Sequence, residues 1–112
     1  MKLLKFIENV DLAAKPEVER AKLLCFYHYK EDGDTAFTMV NIAIWIEECN
    51  FSRPNTSRLK DHLIKGKGKS FLVSKAVKGA IEFVPTVLQI LERDFGSLWI
   101  DTVTIESNDE LI

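Results

Sequence analysis

Cysteine, proline and glycine are scarce in this chain of 112 residues, which holds two, three and five of them. Two cysteines without a secretory leader exclude a disulfide-built extracellular scaffold and favour a reducing compartment. No apolar run reaches the roughly 20 residues that cross a bilayer. The first residues, Met1 to Glu8, carry too many charges for a signal peptide. The sequence therefore predicts a soluble, cytoplasmic protein with no membrane partner.

Catalytic and metal-binding motifs are missing as well. Cys25 and His28 form a Cys-x-x-His pair in one predicted helix, but Cys49 and His62 lie far from it in the chain. Zinc ligands usually come in closely spaced pairs, so we interpret both cysteines as core residues. No glycine pattern matches a phosphate-binding fingerprint. We expect no enzyme, no metal and no cofactor.

The formal net charge of −2 conceals an uneven distribution. Residues 53–78 hold eight basic residues and one acid, a net charge of +7. Residues 1–52 hold six bases and nine acids, and residues 79–112 hold one base and seven acids, giving −3 and −6. A basic middle third between acidic flanks is typical of a nucleic-acid-binding face. A lysine-rich solvated loop is the alternative interpretation.

Hydrophobic periodicity predicts five helices and one β-hairpin, that is, a mainly α fold. We expect helices at 2–9, 16–30, 38–49, 54–66 and 86–95, with strands at 70–74 and 80–84. Thr38 and Asn55 are expected to cap the third and fourth helices, and Gly66 to end the fourth. Val87, Ile90 and Leu91 should face inward from the last helix. The predicted organisation is a helical extension over 1–15, one domain over 16–96, and an acidic linker or tail over 97–112 that leads towards a further C-terminal domain.

This order of elements, with four short segments, resembles bacterial winged helix-turn-helix domains. The segments are Phe37-Thr38, the turn and helix from Ser52 to Leu59, Lys78-Gly79, and the exit from Phe83 to Thr86. The family uses a Pro-Asn-x-Ser-Arg-Leu recognition helix and a lysine-glycine wing, and the resemblance covers about residues 17–95. It implies a three-helix core, a basic wing and a C-terminal helix, and it implies sequence-preferring, regulatory binding to double-stranded DNA. A protein-interaction module on the same scaffold is the alternative, because fold does not fix function.

The DNA interpretation assigns roles to ten residues. A recognition helix at about 54–66 and a wing at about 70–84 are expected to contact DNA through Arg53, Asn55, Ser57, Arg58, Asp61, Lys65, Lys67, Lys69, Lys75 and Lys78. Arg58 is the candidate for reading guanine, with a phosphate contact or an ion pair with Asp61 as alternatives. Asp61 is expected to orient Arg58 or Lys65, and the other lysines to follow the phosphates. His62 should lie at the flank of the helix, within reach of a phosphate.

The third predicted helix carries apolar residues on two sides. The stripe expected to face the core comprises Met39, Ile42, Trp45, Ile46 and Cys49. A second stripe at spacings of three, four and seven comprises Val40, Ala43, Ile44 and Glu47. We predict Val40, Ala43 and Ile44 to be a partner interface, such that a homodimer presents two recognition helices to a two-fold site. Cover by Leu3, Phe6 and Ile7 of the same chain is the alternative.

Overall fold

The computed structural model describes residues 1–99, which form a mainly helical fold with a small three-stranded antiparallel sheet. Helices α1 and α2 span Leu3–Val10 and Glu17–Asp32, with a 3₁₀ turn at Leu12–Ala14 between them. Strand β1 (Phe37–Thr38) leads into α3 (Met39–Glu48) and α4 (Thr56–Ile64). Strands β2 (Phe71–Val73) and β3 (Ala80–Phe83) precede α5, Pro85–Phe95.

The sheet has the order β1-β3-β2, so the hairpin expected from the sequence gains a third strand. Phe37 pairs with Ile81 and Thr38 with Ala80, while Phe71 pairs with Phe83 across the hairpin. Phe37 was expected to precede a helix without entering a sheet. Two residues are too short a stretch to show the alternation from which strands are predicted.

Helices α2, α3 and α4 pack against one another, and the sheet closes one side of the resulting core. The Phe71 and Phe83 rings stack with their centroids 4.5 Å apart, and Phe37 meets both of them edge-on. Ile42 and Ile46 of α3 are fully buried in this cluster. Burial of such aromatic and branched side chains supplies most of the driving force for folding.

Helix α1 and the residues that follow α5 contribute to the same core. Phe6 of α1 is fully buried, and its ring lies 5.2 Å from that of Tyr27 and 5.7 Å from that of Trp99. Trp99 and Leu98, which the sequence analysis assigned to the tail, pack against buried residues. The rest of the predicted tail, residues 100–112, lies outside the described residues. Within residues 1–99, no helix combines the length and the apolarity needed to cross a membrane.

Candidate nucleic-acid interface

Helix α4 has one buried and one exposed side. Leu59 and Leu63, four positions apart on one side of the helix, are fully buried, which fixes the rotation of the helix about its axis. Asn55 caps the helix, because its Oδ1 accepts a hydrogen bond of 3.0 Å from the Arg58 backbone N–H. The predicted capping role is therefore confirmed, and the same oxygen is engaged within the helix. Ser57 and Arg58 lie on the exposed side of the first turn.

The turn between α3 and α4 is held in place by a contact with Arg20 of α2. Asn50 adopts a left-handed conformation with φ of 67°, which asparagine tolerates better than most residues. The Arg20 guanidinium lies 3.9 Å from the centroid of the Phe51 ring, and it also donates to the Leu12 and Ala13 carbonyls. One arginine thus joins the 3₁₀ turn to the segment that precedes α4, which positions the start of that helix.

Two of the eight basic residues between positions 53 and 78 have acidic partners. Lys65 Nζ lies 3.2 Å from Asp61 Oδ1 one helical turn away, so Asp61 is directed towards Lys65 and not towards Arg58. Arg53 lies 3.6 Å from Glu47 and remains largely exposed. Among the described residues, no acidic side chain forms an ion pair with the other six, which are Arg58, Lys60, Lys67, Lys69, Lys75 and Lys78.

The tip of the β2–β3 hairpin is held by one buried serine. Ser74 Oγ accepts hydrogen bonds from the Ala76 and Val77 backbone N–H groups, at 3.2 and 3.0 Å. Gly79, with φ of 80°, supplies the positive angle that returns the chain into β3. Lys75 and Lys78 are exposed on either side of this turn. The turn therefore presents two cations from a defined backbone.

An open depression lies beside the C-terminal end of α4. It is lined by Asp61, His62, Lys65, Gly66 and Gly68. The two glycines are not among the site residues predicted from the sequence. The sequence feature that could have indicated them is their position between lysines. Because neither carries a side chain, backbone is exposed next to the basic residues, where a phosphate can approach closely.

Cys25 is a core residue, as predicted, whereas Cys49 is half-buried and packs against the edge of the core. Cys25 is fully buried, and burial raises the pKa of its thiol well above the usual value, with a further contribution from the Asp34 carboxylate. Burial likewise raises the pKa of the half-buried Cys49, helped by the charge of Glu48. A raised pKa disfavours the thiolate, which is the reactive form of cysteine. Neither residue therefore has the character of a nucleophile.

The predicted partner interface on α3 requires a correction. Val40 and Ile44 are exposed, by 64% and 46%, but Ala43 is buried. Helix α3 packs against both α2 and α4, so the helix buries a wider arc than one stripe of residues. Ala43 lies in this arc, next to Ile42 and three positions before Ile46. The N-terminal segment leaves Val40 and Ile44 open to solvent, since Phe6 packs against Tyr27 and Trp99.

Other groups within the described residues have partners in the fold. The Lys30 ammonium lies 3.1 Å from both Glu92 carboxylate oxygens, which joins α2 to α5. Glu31 accepts hydrogen bonds from the Met1 amino group and from Trp99 Nε1. These contacts hold the N-terminus and Trp99 against α2. No protein-family model, no curated protein and no solved structure matches this chain.

Proposed function

We propose that this chain is a winged helix-turn-helix domain of regulatory type that binds double-stranded DNA with sequence preference. Helix α4 enters the major groove, and the β2–β3 hairpin acts as the wing. The proposal is supported by the element order, in which two packed helices joined by a turn precede an antiparallel hairpin. The sheet order β1-β3-β2 supports it too, because the short first strand fastens the hairpin to the helical core.

The observation that carries the proposal is a set of six basic side chains on α4, the following loop and the hairpin, none of which has an acidic partner within residues 1–99. Unpaired surface cations keep their full charge available, and their neutralisation of phosphates releases counterions and drives binding to DNA. The charges of Lys65 and Arg53 are partly compensated by Asp61 and Glu47, so we expect these two residues to contribute less to DNA affinity.

Arg58 is the residue proposed to read a base. It belongs to the exposed first turn of α4, where recognition helices place side chains against base edges. Its guanidinium matches the O6 and N7 acceptors of guanine. Ser57 is assigned a phosphate contact, whereas the Asn55 side chain serves as the helix cap. Lys67, Lys69, Lys75 and Lys78 are assigned to the phosphate backbone.

The test is fluorescence anisotropy of labelled duplex libraries titrated with the full chain at low salt. We expect binding that is enriched for particular sequences, and that is lost when Lys75 and Lys78 are both replaced by glutamate. The matched control is Lys5→Glu, a charge reversal on the exposed side of α1. Duplex binding no stronger than that of an acidic control protein would overturn the proposal, as would an equal loss from the control variant.

A protein-interaction module is the second candidate, and a specific observation favours it. Leu72, Val73 and Val77 of the hairpin are exposed by 41%, 57% and 46%, which leaves several apolar side chains of this element in contact with solvent next to its lysines. Exposed apolar clusters often mark protein contacts. If the chain is a protein-interaction module, a partner protein identified by proximity labelling and then purified should bind the Val73→Ser variant more weakly than wild type. The same partner should bind the Arg58→Ala variant as tightly as wild type. The DNA-binding function predicts the opposite ranking for a duplex.

A further inference from the structure

We propose that the C-terminal end of α2 forms a site for a divalent transition-metal ion between His28, Asp32 and Asp34. One ligand atom from each of the three side chains lies within 4.8 Å of the other two. Zinc bonds to nitrogen and oxygen are about 2.0–2.2 Å long, so two ligands of a tetrahedral ion are roughly 3.4 Å apart. With Nδ1 as the ligand atom, binding requires the exposed Asp32 carboxylate to move away from the 2.7 Å hydrogen-bond distance that it holds to the imidazole.

The local backbone explains how the three residues meet. His28 and Asp32 are one helical turn apart on the same side of α2, with His28 Nδ1 2.7 Å from Asp32 Oδ2. Gly33 then ends the helix in a left-handed conformation, with φ of 73°, and its N–H bonds to the Tyr29 carbonyl. This reversal returns Asp34 to the end of the helix, beside the other two ligands.

Apart from His28 itself, the two carboxylates of this cluster have no basic partner within the described residues, which is a separate reason to expect a cation. Among the described residues, no lysine or arginine pairs with Asp32 or Asp34. Lys30, the basic residue next to them in the chain, is directed to Glu92 instead. The C-terminal carbonyls of α2 add the negative end of the helix dipole, where positive charge is stabilising. A bound cation therefore supplies the charge that the fold leaves unmatched.

The imidazole is held in a fixed orientation. The His28 ring stacks on the Trp45 indole at 3.9 Å between centroids and an interplanar angle of 16°. The Tyr27 ring meets the same imidazole edge-on at 5.2 Å. A ligand whose rotamer is fixed by packing loses little entropy when it binds an ion. The stack also places an intrinsic fluorophore against the site, so we expect Trp45 emission to change when the His28 ring binds an ion.

The ligand set selects the class of metal. Calcium and magnesium take oxygen ligands, so an imidazole contributes little to their binding. One nitrogen and two carboxylate oxygens suit zinc and its first-row neighbours, for which imidazole is a common ligand. Three protein ligands leave a fourth zinc position for water. The chemical class is therefore a borderline transition-metal dication, and Zn²⁺ is the probe.

The experiment titrates ZnCl₂ into the full chain and follows heat by calorimetry and Trp45 emission by fluorescence. The fluorescence series uses a Trp99→Phe background, because the chain has two tryptophans. We expect one ion per chain and a change in Trp45 emission, with no such change for MgCl₂ at the same concentrations. Asp34→Asn and His28→Phe, the latter of which keeps an aromatic ring on Trp45, should each weaken binding by about tenfold or more.

Asp94→Asn is the matched control, since it removes an exposed aspartate near the C-terminal end of α5 and should leave zinc binding unchanged. Thermal melts verify that each variant is folded. If His28→Phe disturbs the fold, Asp34→Asn alone decides. Unchanged affinity in the ligand variants overturns the proposal, and so does zinc binding that is abolished by His62→Ala or Cys49→Ser instead. DNA affinity is not part of this readout, so the metal site and the DNA-binding function can fail independently.

Discussion

Arg58 lies on the exposed first turn of α4, and no acidic side chain in the described part of the chain pairs with it, because Asp61 is directed to Lys65. If its guanidinium reads a guanine, Arg58→Ala should cost about 1–3 kcal/mol at the preferred site and relax specificity at one base position. Selection of bound duplexes, followed by anisotropy on the selected site and on single-base variants, measures both effects. A loss of the same size on every sequence would assign Arg58 to a phosphate.

Glu31 gives a prediction for the dependence of stability on pH. Desolvation by itself raises the pKa of this carboxyl, but hydrogen bonds from the Met1 amino group and Trp99 outweigh it, so the pKa is lowered from its usual value of 4.5. A lowered folded-state pKa means that the stabilisation is complete above the unfolded-state pKa and is lost as the pH falls through the folded-state pKa. We therefore expect Glu31→Gln to reduce the melting temperature at neutral pH and to flatten its decline below about pH 4.5.

The control for Glu31 is Glu8→Gln, which removes an exposed carboxylate from α1. Melting curves for wild type and both variants, collected from neutral pH into the acid range, make the comparison. An equal acid response in wild type and Glu31→Gln would contradict the prediction. It would also show that Trp99 and the Met1 amino group are held by packing alone.

At the scale of the element, the sequence was most informative where local chemistry decides the structure. The helices, the hairpin, and the caps by Thr38 and Asn55 were predicted from spacing and side-chain type, and both cap hydrogen bonds are present. Strand β1 was missed, because Phe37 and Thr38 become a strand only by pairing with a segment more than 40 positions away. Such pairing leaves no local periodicity.

Burial was harder to predict than the elements themselves. Ile90 was expected to face inward from α5 but is 46% exposed, whereas Ala43 was expected at a partner interface and is buried. Which arc of a helix is covered depends on how many neighbours it has, and tertiary packing sets that number. For the same reason the sequence placed His28 beside Cys25 and could not bring it together with Asp34. The basic residues predicted to contact DNA are all in the described part of the chain. That Lys65 pairs with Asp61, and Arg53 with Glu47, is known only from the structure.

The exposed pair on α3, Val40 and Ile44, remains the predicted surface for a homodimer, now without Ala43. Ile44→Glu should leave the fold intact, because the side chain already faces solvent, but it should weaken self-association and binding to a two-fold DNA site. Ala43→Glu should instead unfold the domain, since it buries an unpaired charge. Sedimentation at several concentrations and melting curves separate the two outcomes.

Leu4→Glu is the matched control for Ile44→Glu, because Leu4 is an apolar residue on α1 that is exposed by 69%. It should change neither self-association nor DNA affinity. A wild-type chain that sediments as a monomer at high concentration would contradict the homodimer. Unfolding by Ile44→Glu would show that this side of α3 belongs to the core.

At the scale of the whole molecule, the dominant property is the separation of charge along the chain. Residues 53–78 carry +7, whereas the remainder carries −9 from its two flanks of −3 and −6. Acidic flanks repel phosphates, so a duplex is attracted to the part of the surface formed by α4, the following loop and the hairpin. Net charge alone, at −2, would have argued against nucleic acid. The distribution of charge, and not its sum, supports the proposed function.

This separation predicts the salt dependence of binding. Each phosphate neutralised on B-form DNA contributes about 0.9 to the steepness of log K against log salt. Phosphate contacts by all six basic side chains would therefore give a slope of about −5. These side chains are Arg58, Lys60, Lys67, Lys69, Lys75 and Lys78. Lys75→Ala and Lys78→Ala should each reduce the steepness by about 0.9 and weaken all sequences alike. Lys5→Ala, on α1, should leave the slope unchanged. Anisotropy titrations over a range of salt concentrations measure these slopes. A wild-type slope near zero would contradict the assignment of the hairpin to the phosphate backbone. The assignment would also be contradicted if Lys5→Ala reduced the slope as much as Lys75→Ala does.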